Sequence, residues 1–299
     1  MNYIEEINEI QDLTMKLDQD LASYTTMRLP SRGDVVEVKS VPALQKLLPI
    51  LTSNNKKYYL VGWGANQILP PVCEELIIHL NFNQDPAYLE TLKDEYYFTA
   101  SMGLNYLTAH AINFGIKGWE VFTGIPASLG GAIFMNAGTN LGEIGRLVKK
   151  VILVTPNGQI REEIISEKSF SYRQNHFVKE GEVIVGAVLG HDGTDSEISK
   201  KIKDYLEYRK KTQPLATRNC GCVFKNPHKD MQAGRLIDLI GLKGLTLSGL
   251  RISPKHANFI ENMGSSDWNQ FQSLVGIIKS NMDTFYGIEF ELEVKISYH

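Results

Sequence analysis

Two glycine-rich segments carry the clearest chemical signal in the sequence. The first, Gly62–Asn66 (GWGAN), directly follows the apolar stretch Tyr58–Val61. Glycines at such a position let the backbone approach a ligand, and successive N–H groups form an anion-binding nest that suits a pyrophosphate. An ordinary tight turn would use the same residues, because a lone G-x-G is a weak signal.

The second segment is Thr123–Ala132 (TGIPASLGGA), followed by Phe134–Gly138 (FMNAG). It is mostly apolar, which indicates backbone lining a flat aromatic cofactor; the alternative is a glycine-rich packing contact between helix and sheet. Neither segment continues into a Walker A lysine or has the G-x-G-x-x-G spacing, so a P-loop and a nicotinamide Rossmann domain are disfavoured. Two separate glycine loops favour an extended cofactor lying across two subdomains.

Cysteines and clustered cations are the remaining reactive groups. The three cysteines, Cys73, Cys220 and Cys222, are an odd number that gives no disulfide framework and indicates a reducing compartment. Two thiols without a second Cys/His pair also disfavour zinc, so no metal site is predicted. A local excess of cations suits a diphosphate and a carboxylate, with a solvated helix end as the alternative; it comprises Arg209, Lys210, Lys211, Arg218 and Lys225.

The elements that position these groups fall into three regions. Residues 1–21 predict an amphipathic helix from the helical spacing of Ile4, Ile7, Ile10, Leu13 and Leu17. Residues 22–209 alternate strand and helix patterns and predict two α/β units, 22–75 and 76–209. Residues 210–299 predict a C-terminal unit with helices Gly234–Ile240 and Asp267–Phe285 and a last strand Phe290–Ile296.

Composition bounds the class of protein. With 43% hydrophobic and 22% charged residues, the 299-residue chain matches soluble globular proteins. A net charge of −3 argues against a nucleic-acid binder. No apolar run reaches the roughly 18 residues that a membrane span needs, and the acidic N-terminal stretch lacks the layout of a secretory signal. We therefore expect a cytoplasmic protein.

Further motifs follow the glycine segments in a fixed order. After VGWGAN and GIPASLGGA with MNAG come FSYR, GCVFKNP, AGRLID, GLKG, KHANF and FELEV. Together these motifs resemble the UDP-N-acetylenolpyruvoylglucosamine reductase (MurB) family over roughly residues 24–296. The single Tyr172-Arg173 pair without an insertion resembles the shorter of the family's two subtypes.

The resemblance implies an α+β fold and a flavin-dependent activity. The fold would be a two-subdomain FAD-binding domain of the PCMH or vanillyl-alcohol-oxidase type, followed by a C-terminal α+β substrate-binding domain. The activity would be NADPH-dependent, FAD-mediated reduction of UDP-N-acetylglucosamine enolpyruvate to UDP-N-acetylmuramate in peptidoglycan precursor synthesis. The partners would be the UDP-sugar and NADPH, using one pocket in turn, with no nucleic acid or membrane, and the protein would be a monomer.

The same resemblance assigns residues to the site. It implies the catalytic residues Arg173, Cys222 and Glu293. For FAD it implies Gly62, Gly64, Ala65 and Asn66 in the first loop and Gly124, Ile125, Pro126, Ala127 and Ser128 in the second. At the substrate it implies Tyr172, Lys225, Asn226 and Asn258, with His256 left as a structural residue.

These assignments make chemical sense. Hydride transfer to an enolpyruvyl carbon leaves a carbanion next to a carboxylate, which a cation such as Arg173, and Glu293 if held protonated, would stabilise. An acid must then protonate the adjacent carbon. The family usually has a serine at the position of Cys222, and a thiol with a pKa near 8.5 is a more competent donor at neutral pH than a hydroxyl.

Simpler explanations and departures from the family pattern also exist. Arg173 would more often be a surface ion pair, Glu293 a solvated edge charge and Cys222 a packing residue. Leu29-Pro30-Ser31-Arg32 stands where a Gly-Gly pair is common, Ala65 replaces a frequent serine and Ala127 a frequent glycine. These departures bear on FAD affinity and support one alternative function, a catalytically silent paralogue that binds flavin or a nucleotide sugar in a regulatory role.

Overall fold

The computed structural model describes residues 3–296 and mixes helices with sheets throughout. The α-helices are α1 (Tyr3–Asn8), α2 (Val41–Ser53), α3 (Leu104–Phe114), α4 (Leu129–Phe134), α5 (Ile198–Thr212), α6 (Ala233–Leu239) and α7 (Trp268–Tyr286). Short 3₁₀ turns cover Ala22–Tyr24, Pro86–Leu89, Trp119–Phe122, Ile144–Leu147 and Glu167–Ser169.

The strands alternate with these helices along the chain. They are β1 (Leu13–Asp20), β2 (Arg32–Val38), β3 (Tyr58–Val61), β4 (Gln67–Ile68), β5 (Val72–Leu80), β6 (Tyr96–Thr99), β7 (Gly138–Thr139), β8 (Gly142–Glu143) and β9 (Val148–Val154). Further along are β10 (Ile160–Ile164), β11 (Phe170–Ser171), β12 (Gln174–Asn175), β13 (Val183–Leu189), β14 (Arg218–Asn219), β15 (Thr246–Leu247), β16 (Leu250–Ile252), β17 (Ile260–Asn262) and β18 (Lys295–Ile296).

The first sheet has the order β1-β2-β5-β3, and β3 pairs with β5 in parallel. Helix α2 provides the crossover before β3. Ser40 caps it by accepting a hydrogen bond from the Ala43 amide, and a proline lies in its first turn, where the missing N–H costs nothing. Its apolar face is fully buried in the core of this sheet and includes Leu44, Leu47 and Leu51.

The second sheet, β10-β9-β13-β6, is antiparallel, and its core is rich in aromatic rings. Tyr96 and Phe98 of β6 stack at 5.7 Å between ring centroids, and Trp119 meets both rings edge-on. The Trp119 indole N–H donates to the Gly190 carbonyl at 2.9 Å, so this buried polar atom is satisfied. This core fixes the segment that leads into Thr123–Ala132.

The third sheet, β14-β17-β16-β15, is antiparallel and packs with α6 and α7 around a separate core. Asp267 begins α7 with a capping box to Gln270, and Gly287 ends it in the left-handed conformation at φ 63°. The parallel pair β4–β18 belongs to the same packing unit and joins Gln67 to Lys295.

Packing divides the chain into two compact units that are discontinuous in sequence. The first comprises residues 1–17, 35–62 and 75–206, and the second comprises residues 18–34, 63–74 and 207–299. The predicted domains, 1–21, 22–209 and 210–299, were contiguous and stay a prediction, because packing units need not coincide with functional domains. Residues 1, 2 and 297–299 of those domains lie outside the described residues.

Two predicted elements are wrong. The helix predicted over residues 1–21 covers only Tyr3–Asn8. It cannot run through position 12, because Asp12 has φ 65°, which a right-handed helix does not allow, and Leu13–Asp20 forms β1 instead. The strand Phe290–Ile296 shrinks to β18, because the amides of Glu293 and Val294 both donate to the carbonyl of Val223 and interrupt any regular ladder. No helix within residues 3–296 combines the length and apolar character of a membrane span.

Candidate active site

Gly62, the first residue of the first glycine-rich segment, meets the second segment within the first packing unit. Ser128 stands at the N-cap of α4, yet its side chain makes no capping hydrogen bond. A Cβ added to Gly62 would lie 2.5 Å from the Ser128 Oγ, so only glycine fits at position 62 without a shift. The backbone of Gly62 therefore lies directly against a hydroxyl of the second segment.

The first segment also presents backbone donors. Gly64 has φ 61°, and an added Cβ would run into the carbonyl of Tyr24. Across residues 3–296, the amides of Gly62, Gly64 and Ala65 donate no hydrogen bond within the fold. Because backbone N–H groups rarely stay unpaired in protein interiors, these amides are suited to phosphate oxygens. The residues present thus fit the pyrophosphate of FAD.

Thr26 and Asn66 hold the remainder of this segment, which belongs to the second unit. Thr26 donates its amide to the Gly64 carbonyl at 3.2 Å and its hydroxyl to the Asn219 carbonyl at 2.6 Å. The Asn66 Nδ2 donates to the Glu293 carbonyl at 3.1 Å, and the Asn66 carbonyl accepts from the Lys295 amide at 2.9 Å. The glycine segment is therefore tied to the two stretches that carry the predicted Cys222 and Glu293. The sequence analysis missed Thr26, whose partners are remote in sequence.

Cys222 and Glu293 lie on neighbouring extended stretches of the second unit. Phe224 and Leu292 form an antiparallel bridge, and the Glu293 amide donates to the Val223 carbonyl at 2.8 Å. Glu293 is only 9% exposed, whereas Cys222 is half-buried. The structure thus brings two of the three predicted catalytic residues together, and Glu293 is not a solvated edge charge.

The environment of Cys220 differs from that of Cys222. It is buried, and burial raises the pKa of its thiol to about 12, with Cys222 and Glu293 adding to the shift through their negative charge. A thiol with such a pKa stays protonated near neutral pH and is a poor nucleophile. Cys220 is therefore a packing residue, and Cys222 and Glu293 lie near enough to it to affect its pKa.

Two asparagines predicted at the substrate bind the protein backbone. The Asn258 Oδ1 accepts from the Phe224 amide at 2.9 Å, and its Nδ2 donates to the Phe224 carbonyl at 2.8 Å. Asn258 thus holds the stretch next to Cys222. Asn226 accepts from the Ala233 amide at 3.0 Å and steadies the start of α6. His256 packs edge-on against Phe259 with its pKa lowered by burial, in keeping with a structural role.

Lys225 is the predicted substrate cation of the second unit. Its Nζ lies 2.8 Å from the Glu291 carboxylate, and the hydrogen bond from Lys225 lowers the pKa of Glu291. Glu291 is largely exposed, so this ion pair is weak and easily exchanged for an anionic ligand. Lys225 can therefore turn to a phosphate at little cost.

Arg173 lies in the first unit at the tip of the β11–β12 hairpin. Tyr172 and Arg173 form the two-residue turn, and Arg173 has φ 58°, unusual for a residue other than glycine. Its Nη2 donates to the Gly138 carbonyl at 3.1 Å, and its guanidinium lies 5.2 Å from the centre of the Tyr172 ring. The guanidinium is therefore anchored to the backbone of the first unit.

Comparison with known proteins defines the class. Residues 34–163 match the family described as FAD binding domain. Residues 213–297 match the family described as the C-terminal domain of UDP-N-acetylenolpyruvoylglucosamine reductase. A flavin-binding domain followed by this C-terminal domain makes the chain an FAD-dependent oxidoreductase, and the predicted α+β fold class is confirmed.

Full-length relatives make the assignment specific. The chain is 33% identical to UDP-N-acetylenolpyruvoylglucosamine reductase of Chlamydia pneumoniae, over 92% of this chain and 90% of the relative. It is 31% identical to the enzyme of that name from Anoxybacillus flavithermus, over 98% and 97%. The crystal structure of the reductase (MurB) from Thermus caldophilus superposes with a TM-score of 0.79 at 28% identity, covering 96% of this chain and 99% of that one. The chain belongs to the UDP-N-acetylenolpyruvoylglucosamine reductase family.

Proposed function

We propose that this protein uses NADPH to reduce UDP-N-acetylglucosamine enolpyruvate to UDP-N-acetylmuramate. The observation that carries the proposal is the link from the first glycine segment to Glu293 through Asn66, with Cys222 on the adjoining stretch. A phosphate-binding backbone, a buried carboxyl group and a half-buried thiol are thereby parts of one hydrogen-bonded assembly.

Each predicted catalytic residue has a role that suits its chemistry. When bound, FAD supplies the hydride. The Arg173 guanidinium, and Glu293 in its protonated form, stabilise the negative charge that develops on the enolpyruvyl group. Cys222 then donates its proton to the adjacent carbon, and Cys220 stays an inert thiol.

The remaining site residues bind either FAD or the sugar nucleotide. We assign FAD to the backbone of Gly62, Gly64, Ala65 and Asn66 and to Gly124, Ile125, Pro126, Ala127 and Ser128. Tyr172, Lys225 and Asn226 contact the sugar nucleotide, while Asn258 acts on the site through the backbone of Phe224. The cellular setting we propose is the cytoplasm, with a monomer supplying cell-wall precursors for growth, shape and division.

The decisive experiment separates the two half-reactions in a stopped-flow instrument. NADPH should reduce the bound flavin, and the enolpyruvyl sugar nucleotide should reoxidise it in the absence of oxygen. Reduction by NADPH without reoxidation by that substrate would refute the proposed substrate. A protein that purifies colourless and gains no flavin absorbance on reconstitution would favour a silent paralogue that binds only the nucleotide sugar.

Cofactor binding has its own test in Gly64→Ala. The added methyl group would overlap the Tyr24 carbonyl oxygen, a backbone atom that cannot rotate away, so the segment must shift and FAD affinity should fall about tenfold or more. Gly276→Ala is the matched control, because a Cβ there has no neighbour within 4 Å. Equal FAD affinity in both variants would remove the first segment from the cofactor site.

A further inference from the structure

Asn136 combines an unusual backbone conformation with nearly complete burial. It follows α4 in Met135-Asn136-Ala137-Gly138, has φ 48° and is 1% exposed. The left-handed conformation costs a non-glycine residue about 1–2 kcal/mol, although asparagine tolerates it better than most. A residue kept there against that cost needs a compensating role for its side chain.

The Asn136 amide group joins three pieces of the first unit. Its Nδ2 donates to the Glu143 Oε2 at 2.7 Å and to the Ser171 carbonyl at 3.0 Å. Its Oδ1 accepts from the Gly145 amide at 3.0 Å. Three of the four hydrogen bonds that an asparagine side chain can make are therefore used. Aspartate would lose both donors and would place a second carboxylate beside Glu143.

These bonds converge on Arg173. Ser171 is the residue directly before the Tyr172-Arg173 turn, so Asn136 holds the base of that hairpin. The backbone carbonyls of Asn136 and Gly138 receive the guanidinium itself, at 3.5 and 3.1 Å. One residue thus fixes both the turn that carries Arg173 and one end of the surface on which its guanidinium rests.

We infer that Asn136 is the positioning residue for Arg173 in the reduction of the enolpyruvyl group. The inference rests on the proposed function, since it assigns Arg173 to the charge that develops on the substrate. Asn136 itself touches neither flavin nor substrate in this role. Displacing a stabilising cation by about an ångström slows a reaction about 100-fold, so loss of the Asn136 side chain should act mainly on the substrate half-reaction.

The test uses Asn136→Gly, which removes the side chain yet keeps a residue that favours positive φ. Asn55→Gly is the matched control, because Asn55 has φ 50° and is exposed. In Asn136→Gly, flavin reoxidation by the enolpyruvyl substrate should slow about 10–100-fold while reduction by NADPH stays within about twofold. Asn55→Gly should change neither rate. Asn136→Asp provides a second variant of native size should the glycine variant fail to fold.

A double-mutant cycle decides whether the effect passes through Arg173. In an Arg173→Ala background, Asn136→Gly should slow reoxidation no further. An undiminished additional loss, or equal losses in both half-reactions, would overturn the inference. Limited trypsin digestion gives a readout independent of activity: cleavage after Arg173 should accelerate in Asn136→Gly relative to Asn55→Gly, and unchanged cleavage would refute the positioning role. Failure of the wild-type protein to react with the substrate would instead refute the proposed function.

Discussion

Two substitutions of Arg173 distinguish its effect on the stability of the turn from its effect on catalysis. Arg173 adopts φ 58° in the two-residue connection between β11 and β12, where glycine would be the favoured residue. Arg173→Gly removes the guanidinium and relieves the backbone. Arg173→Ala removes the guanidinium and leaves the backbone cost in place.

The difference between the two variants follows from this geometry. Both lose the hydrogen bond to the Gly138 carbonyl and the contact with the Tyr172 ring, so those losses cancel in the comparison. The remaining difference in stability comes from the left-handed conformation, which favours glycine by about 1–2 kcal/mol. The larger chain entropy of glycine in the unfolded state reduces this advantage. Arg173→Gly should therefore be about 1 kcal/mol more stable than Arg173→Ala, or about 2–3 °C higher in Tm.

Their kinetics should nevertheless agree. Removing a cation aimed at developing charge costs about 10²–10³ in rate, so both variants should lose flavin reoxidation to that extent and keep reduction by NADPH. Thermal denaturation of the FAD-loaded proteins and stopped-flow half-reactions provide the two measurements. An alanine variant as stable as the glycine variant would refute the turn geometry, and near wild-type reoxidation in either would remove Arg173 from catalysis.

Two further predictions concern a thiol and an ion pair. Cys222→Ser should retain substantial activity, whereas Cys222→Ala should stall after hydride transfer; near wild-type turnover of the alanine variant would contradict the assignment. Iodoacetamide at pH 8 should label Cys222, with substrate protecting, and spare Cys220, whose pKa is about 12, as peptide mapping will reveal. Glu182→Gln should lower the free energy of unfolding by about 2 kcal/mol at pH 7, because Arg161 grips the buried carboxylate with two hydrogen bonds of 2.8 and 2.6 Å. Arg161 lowers the pKa of Glu182 below its ordinary 4.5. The difference in free energy of unfolding between the wild type and Glu182→Gln should therefore persist above pH 4.5 and disappear as the pH falls through the lowered pKa. In urea titrations, a difference at pH 3 equal to that at pH 7 would exclude the ion pair.

Elements with strong local patterns were predictable from the sequence. The helix predicted as Asp267–Phe285 is observed as α7, Trp268–Tyr286, with Asp267 as its N-cap. The N-terminal prediction failed because Leu13 and Leu17 fit both a helical period and the alternation of a strand, and the left-handed Asp12 decides between them.

The site was predictable only in its motif residues. Cys222 and Glu293 were identified because they stand in recognisable motifs, and the structure places their stretches side by side. The residues that hold the stretches of Cys222 and Glu293 in place were not identified, because hydrogen bonds between distant residues leave no periodic signal in the sequence. Asn258 was therefore expected at the substrate, and its bonds to the Phe224 backbone became visible only in three dimensions.

The bond between Asn66 and Glu293 joins residues 227 positions apart, which has a consequence for how the protein acquires its cofactor. Closing a chain loop of that length costs about 5 kcal/mol on the logarithmic scaling of loop entropy. The hydrophobic core of the second unit, which contains both Ile68 and Val294, already closes this loop and offsets the cost. Flavin therefore does not have to bring the two ends together, and the apoprotein should present the first glycine segment already anchored beside the stretch that carries Glu293.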